Sequence, residues 1–276
     1  ADDVRFSFRM LPSEVVLQDL SAFVPAFKPF KEKLRLETEA DGTVNQLNCP
    51  KLLISADNHF LLKGDVSLQD LSHPQDAYIF GNLSNLYADP DGIAFFVRNL
   101  SKDYKGVPPA LQHLGTISFR GEISGYFTDL VTYGEVRTDI GTVKTDVKFS
   151  SDKEKGYFSY SGAVKTAEFE LGKLLANDKF GKVTFNMDVK GSHYAKRYPS
   201  VTMKGLVASI DYSDYTYENI TLDGEYKQGG FNGNVSFDDE NGAIQLNGSI
   251  NTAGKIPTFN FRADVDHFRP NTLHLT

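Results

Sequence analysis

Residues that could carry out chemistry are few in this chain, and their spacing matches no catalytic or metal-binding motif. The single cysteine, Cys49, precedes Pro50 and has no histidine nearby in sequence, which is typical of an inert buried thiol. No nucleophile elbow, phosphate-binding loop or zinc signature occurs. The histidines are isolated, without metal-ligand spacing, at His59, His73, His113, His193, His267 and His274. We therefore expect no catalytic activity, no metal and no cofactor.

Two polar clusters need a separate interpretation. Tyr212, Tyr215 and Tyr217 cluster with two aspartates, which fits either a sugar-binding platform or a strand with tyrosines on its outer face. The acidic segment 238–241 lacks the alternating ligand spacing and the distal glutamate of a calcium loop. Because the segment ends in Asn-Gly, it predicts a hairpin turn.

The most frequent pattern in the chain is a glycine among alternating apolar residues. Apolar side chains at every second position indicate β-strands, and the glycine always falls on their face. A glycine weakens a strand and fills no core. Nine copies therefore indicate a sheet that bends where its inner face is bare, or one that leaves room there for another molecule. The glycines are Gly64, Gly81, Gly121, Gly162, Gly191, Gly205, Gly224, Gly233 and Gly248.

The composition is that of a large β-rich protein and argues against two classes of function. The 276 residues are 40% hydrophobic, which is enough for a sizeable core. The formal net charge is −7 and the basic residues are scattered among acidic ones, which argues against binding to nucleic acid. No apolar run approaches the ~20 residues of a membrane-spanning helix. One cysteine allows no internal disulfide.

Helix signals are confined to short segments between the strands. Asp89-Pro90 is the clearest helix start, because aspartate is a good N-cap and proline suits the first helical position. Shorter helical segments are predicted after Asp19, at 109–114 and within 169–176. The short turns between the remaining segments indicate antiparallel neighbours. Early strands are predicted at 47–56, 60–68 and 77–86.

Seven short segments form an ordered series along the chain. They are DLSAFVP at 19–25, TDIGTV at 138–143, FELGKLL at 169–175, GKVTF at 181–185, VKG at 189–191, YENITLDG at 217–224 and NGAIQLNG at 241–248. In this order they resemble segments of the AsmA-like superfamily, most closely its TamB translocation and assembly module proteins of the Bacteroidetes type. The resemblance covers most of the chain.

The resemblance implies the periplasmic part of a Gram-negative cell-envelope protein. Such proteins have an inner-membrane anchor and a long, taco-shaped β body with an apolar interior, and they are linked to phospholipid transport and outer-membrane biogenesis. It also implies partnership with an Omp85-type outer-membrane barrel, through regions outside this chain. Because the chain opens in strand-like alternation without a signal region, we expect an internal segment whose anchor lies outside it.

The expected fold is mainly β: a long curved antiparallel sheet that forms a taco-like groove, with two or three short helices. We expect a mixed β segment with short helices over 1–115 and a groove segment over 116–276, continuous with each other. An open apolar groove needs only shape and apolarity to hold phospholipid acyl chains. The alternative is a non-catalytic β-sandwich module for glycan or protein, in which the glycines merely allow the sheet to coil.

The predicted groove is lined by apolar and glycine positions of the later strands. These positions share the parity of the repeated pattern, so they fall on one face of each strand. They are Phe119, Gly121, Ile123, Phe158, Tyr160, Gly162, Val164, Phe185, Met187, Val189, Met203, Gly205, Val207, Leu222, Gly224, Phe231, Gly233, Val235, Ile244, Leu246 and Gly248.

Overall fold

The chain forms two compact β units. A computed structural model describes residues 4–21, 28, 30–43, 45–71, 73, 76–100, 106–152, 156–194, 200–254 and 256–274. The first unit is Ala1–Asp139 and the second is Ile140–Thr276. The boundary expected from the sequence, after residue 115, falls inside the first unit.

Among its described residues, the first unit contains seven strands and three short helical segments. Its strands are β1 (Phe6–Val16), β2 (Lys33–Thr43), β3 (Gln46–Ala56), β4 (Phe60–Gln69), β5 (Tyr78–Ala88), β6 (Ile117–Tyr126) and β7 (Asp129–Thr138). Its helices are a 3-10 turn at Leu17–Leu20, α1 (Pro90–Leu100) and α2 (Pro109–His113).

The second unit is almost all strand. It contains β8 (Gly141–Asp152), β9 (Tyr157–Glu170), β10 (Phe180–Tyr194), β11 (Ser200–Tyr212), β12 (Tyr215–Lys227), β13 (Gly230–Asp239), β14 (Gly242–Asn251) and β15 (Thr258–Phe268). A short helix, α3 (Leu171–Leu175), connects β9 to β10.

Strand order within each unit follows chain order, and each strand pairs antiparallel with the next. Strands joined by short turns can pair only in this way, since a parallel partner needs a long crossover. The mainly β, antiparallel class with short helices is therefore confirmed. Strands β3, β4 and β5 match the three early strands predicted from alternation.

Helix α1 begins where the sequence predicts it. Asp89 accepts hydrogen bonds from the Gly92 amide at its carboxylate (2.8 Å) and from the Ile93 amide at its carbonyl (2.8 Å). This arrangement satisfies amide groups that the first turn of a helix leaves without partners. The helix packs Phe95 and Phe96 against Phe30, with ring centroids 5.5 and 5.9 Å apart.

The other predicted helices are shorter than α1. The segments at 109–114 and 169–176 are confirmed as α2 and α3. Near Asp19 the structure shows a 3-10 turn at Leu17–Leu20, and most of the rest of that predicted helix, 22–25, lies outside the described residues. None of the helices described is long and apolar enough to cross a lipid bilayer.

The first unit has a filled apolar core on one face of its sheet. Val66, Leu83 and Phe119 are each at most 7% exposed. Side chains of neighbouring strands pack against these three, among them Leu62 and Ile123. A second cluster, around Leu17, Phe30 and Leu34, is covered by α1.

The buried side chains of the second unit collect at one end of its strands. Phe169 at the end of β9 lies opposite Val183 near the start of β10, and both are buried. At the same end of later strands, Leu273 is fully buried and packs near Gly242 at the start of β14. The hydroxyl of Tyr217 donates a hydrogen bond to the Leu273 carbonyl (2.7 Å). This end is therefore closed by side chains.

Candidate functional site

One face of the second unit is lined by four cross-strand rows of residues, which we call the apolar face. Directly opposite residues of antiparallel strands point to the same side of a sheet, so each row lies on one face. From β8 to β15 the rows are Val143, Thr166, Phe185, Val207, Ile220, Phe237, Ile244 and Val265; Thr145, Val164, Met187, Gly205, Leu222, Val235, Leu246 and Ala263; Val147, Gly162, Val189, Met203, Gly224, Gly233, Gly248 and Phe261; and Phe149, Tyr160, Gly191, Val201, Tyr226, Phe231, Ile250 and Phe259.

These rows bring together the groove residues that the sequence predicts in the second unit. Phe158 lies two residues beyond Tyr160 of the fourth row, on the same face, opposite Ser151 and His193. The three remaining predicted residues, Phe119, Gly121 and Ile123, belong to the first unit, where Phe119 is buried in the filled core. The predicted set therefore divides between a filled face and a more open one.

The apolar face carries no charged side chain. Four rows across eight strands give 32 positions, and the only polar groups among them are two threonines and two tyrosines. The opposite face is polar, with residues such as Lys204 and Asp223 directly opposite each other and 2.9 Å apart. The two faces therefore differ sharply in polarity, as expected when only one of them is wetted.

Solvent reaches most of the apolar face. Of the residues in the four rows, only Val147, Thr166 and Gly191 are buried, and the others are partly or fully exposed. On β15 the exposure is large, at 62% for Phe259 and 54% for Val265. An apolar face of this size that stays accessible is a common mark of a binding surface.

The apolar face opens at the end of the strands opposite to the closed one. A cavity of about 840 Å³ lies there, between the turn after β12 and the segment that enters β15. This volume is within the range of sites for drug-sized ligands. Its walls are formed by Val201, Tyr226, Gln228, Gly229, Asn251, Ala253, Gly254, Ile256 and Thr258.

Several glycines of the face have a role in the backbone. Gly162 and Gly233 have φ of +148° and +158°, in a region that side chains with a Cβ rarely adopt. A Cβ on Gly162 would lie 2.0 Å from the Asp146 carbonyl oxygen, and one on Gly233 would lie 2.4 Å from that of Asp223. At these positions glycine allows the strand to bend close to its neighbour.

Other glycines of the face are covered by aromatic rings. A Cβ on Gly224 would lie 2.5 Å from the Phe231 ring, and one on Gly191 would lie 2.3 Å from the Tyr160 ring. A ring laid over a strand glycine shields backbone that would otherwise be bare. The uneven surface of the apolar face therefore comes from aromatic rings that lie beside glycines.

The tyrosine cluster contributes to the closed end of the second unit. The Tyr215 hydroxyl donates to Asp239 (2.7 Å), and the ring of Tyr217 packs on Phe237, with centroids 5.4 Å apart. The expectation that these tyrosines lie on an outer face is wrong for Tyr217. Asn219 adopts a positive φ of 53°, and this local distortion interrupts the alternation, so that Tyr217 and Ile220 both lie against Phe237 on the apolar side.

The predicted hairpin at 238–242 is confirmed. It joins β13 to β14, and the carboxylate of Asp239 accepts hydrogen bonds from the amides of Asn241 (2.7 Å) and Gly242 (3.0 Å). An aspartate that bonds to amides two and three positions later is a common means of fixing such a turn. Asp239 therefore has a structural role in this turn.

Cys49 is buried, as the sequence predicts. Burial raises the pKa of its thiol, although a hydrogen bond with Thr38 opposes that shift. A thiol with a raised pKa is protonated at neutral pH and is a poor nucleophile. Its position on β3 therefore fits a packing role.

A polar cluster that sequence spacing does not reveal lies at the start of α1. His59, Asp89 and Asp91 place one ligand-type atom each within 4.8 Å of one another. His59 Nδ1 lies 2.7 Å from Asp89 Oδ2, and the Asp89 amide donates to the His59 carbonyl (3.1 Å). The cluster ties α1 to the turn between β3 and β4. Sequence patterns do not reveal this cluster, because His59 is thirty positions from Asp89 and the three residues match no motif.

Charge makes this attachment dependent on pH. The hydrogen bond with Asp89, followed by its negative charge, raises the pKa of His59 above 6.5. Desolvation raises the pKa of Asp89, but hydrogen bonds from the Gly92 amide and His59, together with the charge of His59, outweigh it, and the pKa of Asp89 is lowered. Because folding raises the pKa of His59, its protonated form stabilises the folded state. This contribution to the free energy of unfolding is complete below pH 6.5, and it is lost as the pH rises through the pKa of His59 in the folded protein.

We expect His59→Gln to lower the free energy of unfolding at pH 5.5 more than at pH 8.5, because only the protonated imidazole gains from the carboxylate. Urea denaturation at the two pH values measures the difference, with His193→Gln, an exposed histidine on β10, as the control. An equal loss at both values would show that the charge of His59 does not hold the helix.

Comparisons with known proteins add no relative to this chain. No protein-family model matches it, and neither a curated protein nor a solved structure does. What bears on function is therefore the sequence and the geometry of the chain itself.

Proposed function

We propose that this chain is part of a TamB- or AsmA-like cell-envelope protein whose apolar face carries phospholipid acyl chains between the inner and outer membranes. The observation that supports this most strongly is the set of four uncharged rows, which remain accessible across eight strands. A surface that needs to recognise only hydrocarbon requires no polar motif. The ordered resemblance of the sequence segments to that family points in the same direction.

Energetics favours such a surface for a lipid outside a bilayer. Exposing a methylene to water costs ~0.8 kcal/mol of free energy, so transferring the chains of a lipid with about 30 methylenes into water costs roughly 24 kcal/mol. An apolar face removes much of this cost without binding the headgroup. Eight strands at about 4.8 Å spacing make this face roughly 34 Å long, enough to receive an extended acyl chain.

The two ends of the strands fit different parts of this task. Buried side chains around Phe169, Val183 and Leu273 close one end, whereas the cavity beside Tyr226 and Ile256 opens at the other. We assign the entry of acyl chains to the open end. Partnership with an Omp85-type barrel stays a prediction for segments outside this chain.

Native mass spectrometry tests the proposal directly. The purified chain is mixed with vesicles of phosphatidylethanolamine and phosphatidylglycerol, separated from them and analysed intact. We expect the 30.7 kDa chain to carry whole phospholipid masses, with no preference for one headgroup. A chain that stays lipid-free, or that binds a water-soluble headgroup analogue equally well, would contradict transport along the apolar face.

A further inference from the structure

Strand β15 forms an edge of the sheet of the second unit. It pairs with β14, and within the described residues of this unit no strand lies along its other side. Phe259, Phe261 and Val265 are 62%, 46% and 54% exposed there. An exposed apolar edge of this length readily pairs with another strand.

The chain leaves this edge directly after β15. The Arg269 amide donates to the Asn241 carbonyl (2.9 Å), and Leu273 is buried beside Tyr217. His274 Nδ1 then lies 2.9 Å from the Ser213 carbonyl. The described residues beyond β15 therefore cross the closed ends of earlier strands, and they do not form a hairpin along the free side of β15.

The edge of β1, in the first unit, differs from that of β15. Pro12 interrupts β1, and its pairing with β2 shifts register between Met10 and Ser13. A proline and a bulge are two devices that prevent edge strands from pairing with other chains. Residues 258–265 of β15 contain neither, and their pairing with β14 is regular.

The sequence of β15 is complementary to itself when it runs antiparallel. If a two-fold axis passes through Ala263, Arg262 of one copy faces Asp264 of the other on the polar side, twice. On the apolar side Phe261 faces Val265, also twice. Opposite charges and an aromatic with a β-branched residue are among the favourable cross-strand pairs. Within one chain Arg262 and Asp264 form an exposed ion pair, with 3.1 Å between Nη2 and Oδ1.

We propose that two copies of this chain pair through β15, antiparallel and centred on Ala263. Such a two-fold interface is isologous, and it keeps the apolar faces of both second units on the same side. The sheet would then continue from one copy into the other. The proposal follows from the edge itself and does not depend on lipid transport.

Sedimentation velocity across a wide range of concentration tests the pairing. We expect a species of twice the 30.7 kDa chain mass. Arg262→Asp should weaken the dimer by about tenfold, because two attractive pairs become two repulsive ones. Combining it with Asp264→Arg restores opposite charges across the axis and should restore the dimer. Lys204→Asp, a similar charge reversal on β11, is the control that should leave it intact.

A cysteine placed on the two-fold axis gives an independent test. Ala263→Cys faces its own copy and should form an intermolecular disulfide under mild oxidation. Phe259→Cys, which is also exposed on the same strand, faces a different residue and should not. The wild type, whose cysteine is buried, should not cross-link either.

Three outcomes would overturn the proposal. A chain that is monomeric at every concentration has no such interface. A dimer that Arg262→Asp leaves unchanged uses another surface. Equal cross-linking at positions 259 and 263 would reflect random collision. All three readouts are made without lipid, so a negative result for the dimer does not contradict the transport proposal. Likewise, mass spectra without bound lipid would contradict the transport proposal and not the dimer.

Discussion

Replacing Gly121 with alanine is expected to destabilise the first unit by about 2–4 kcal/mol. Gly121 has a φ of +156°, which alanine rarely adopts, and its Cβ would lie 2.2 Å from the Tyr133 carbonyl oxygen. That oxygen belongs to the paired strand β7, so it cannot move away without breaking the ladder. Urea denaturation, with hydrogen exchange of β5 and β6, measures the loss.

Gly81 provides a matched control for Gly121. It has the same place in the repeated sequence pattern and lies opposite Ile123 on the neighbouring strand. Its backbone φ is outside the left-handed region, and a Cβ there would make ordinary contacts with the Leu83 and Val66 side chains at 3.7 Å and the Asp65 carbonyl oxygen at 3.9 Å. Gly81→Ala should change stability by less than about 1 kcal/mol. An equal loss of stability in both variants would show that the backbone conformation of Gly121 does not require glycine.

Placing two carboxylates on the apolar face is expected to reduce bound phospholipid by about tenfold or more, because each charge would have to lose water against hydrocarbon. Leu222→Glu combined with Leu246→Glu does this in the second row, on β12 and β14. Both positions are partly exposed, so the folded chain can tolerate the change. Phosphate analysis of the lipid that stays with the chain measures the loss.

The matched control changes the adjacent residues of the same two strands. Thr221→Glu with Gln245→Glu adds the same charge on the polar face, where both positions are exposed. This variant should keep its lipid, and circular dichroism should show both variants folded. If lipid falls equally in the two variants, net charge and not the apolar face controls binding.

Much of the fold could be predicted because its signals are local. Alternation of apolar residues with period two indicates strands wherever one face meets a core, and it correctly placed β3, β4 and β5. Asp89-Pro90 marked the start of α1 because N-capping depends only on adjacent residues. The turn at 238–242 was predictable for the same reason.

The candidate site could be predicted in part. The parity of each strand assigned residues such as Met187, Leu222 and Val235 to one face, and pairing brings them into a single row. Parity failed near Tyr217, where the positive φ of Asn219 interrupts the alternation. An asparagine in that conformation has no unambiguous sequence signal, so the closed end of the second unit was not foreseen.

The sequence also left the role of its glycines undecided. The repeated pattern is the same around Gly81 and Gly121, yet only Gly121 has a positive φ and a neighbouring carbonyl in the position of its Cβ. That difference depends on how the adjacent strand bends, which involves residues far away in the chain. The contact between His59 and Asp89 is likewise set by packing.

The sequence by itself determined the strands, their two-faced character and the antiparallel order, because periodicity and short turns are written in neighbouring residues. Only the tertiary structure decided which apolar face is filled and which stays accessible. Phe119 is buried in the first unit, whereas Leu222 in the second remains partly exposed. Both belong to the same sequence pattern, and exposure depends on what packs over a face, which no local pattern records.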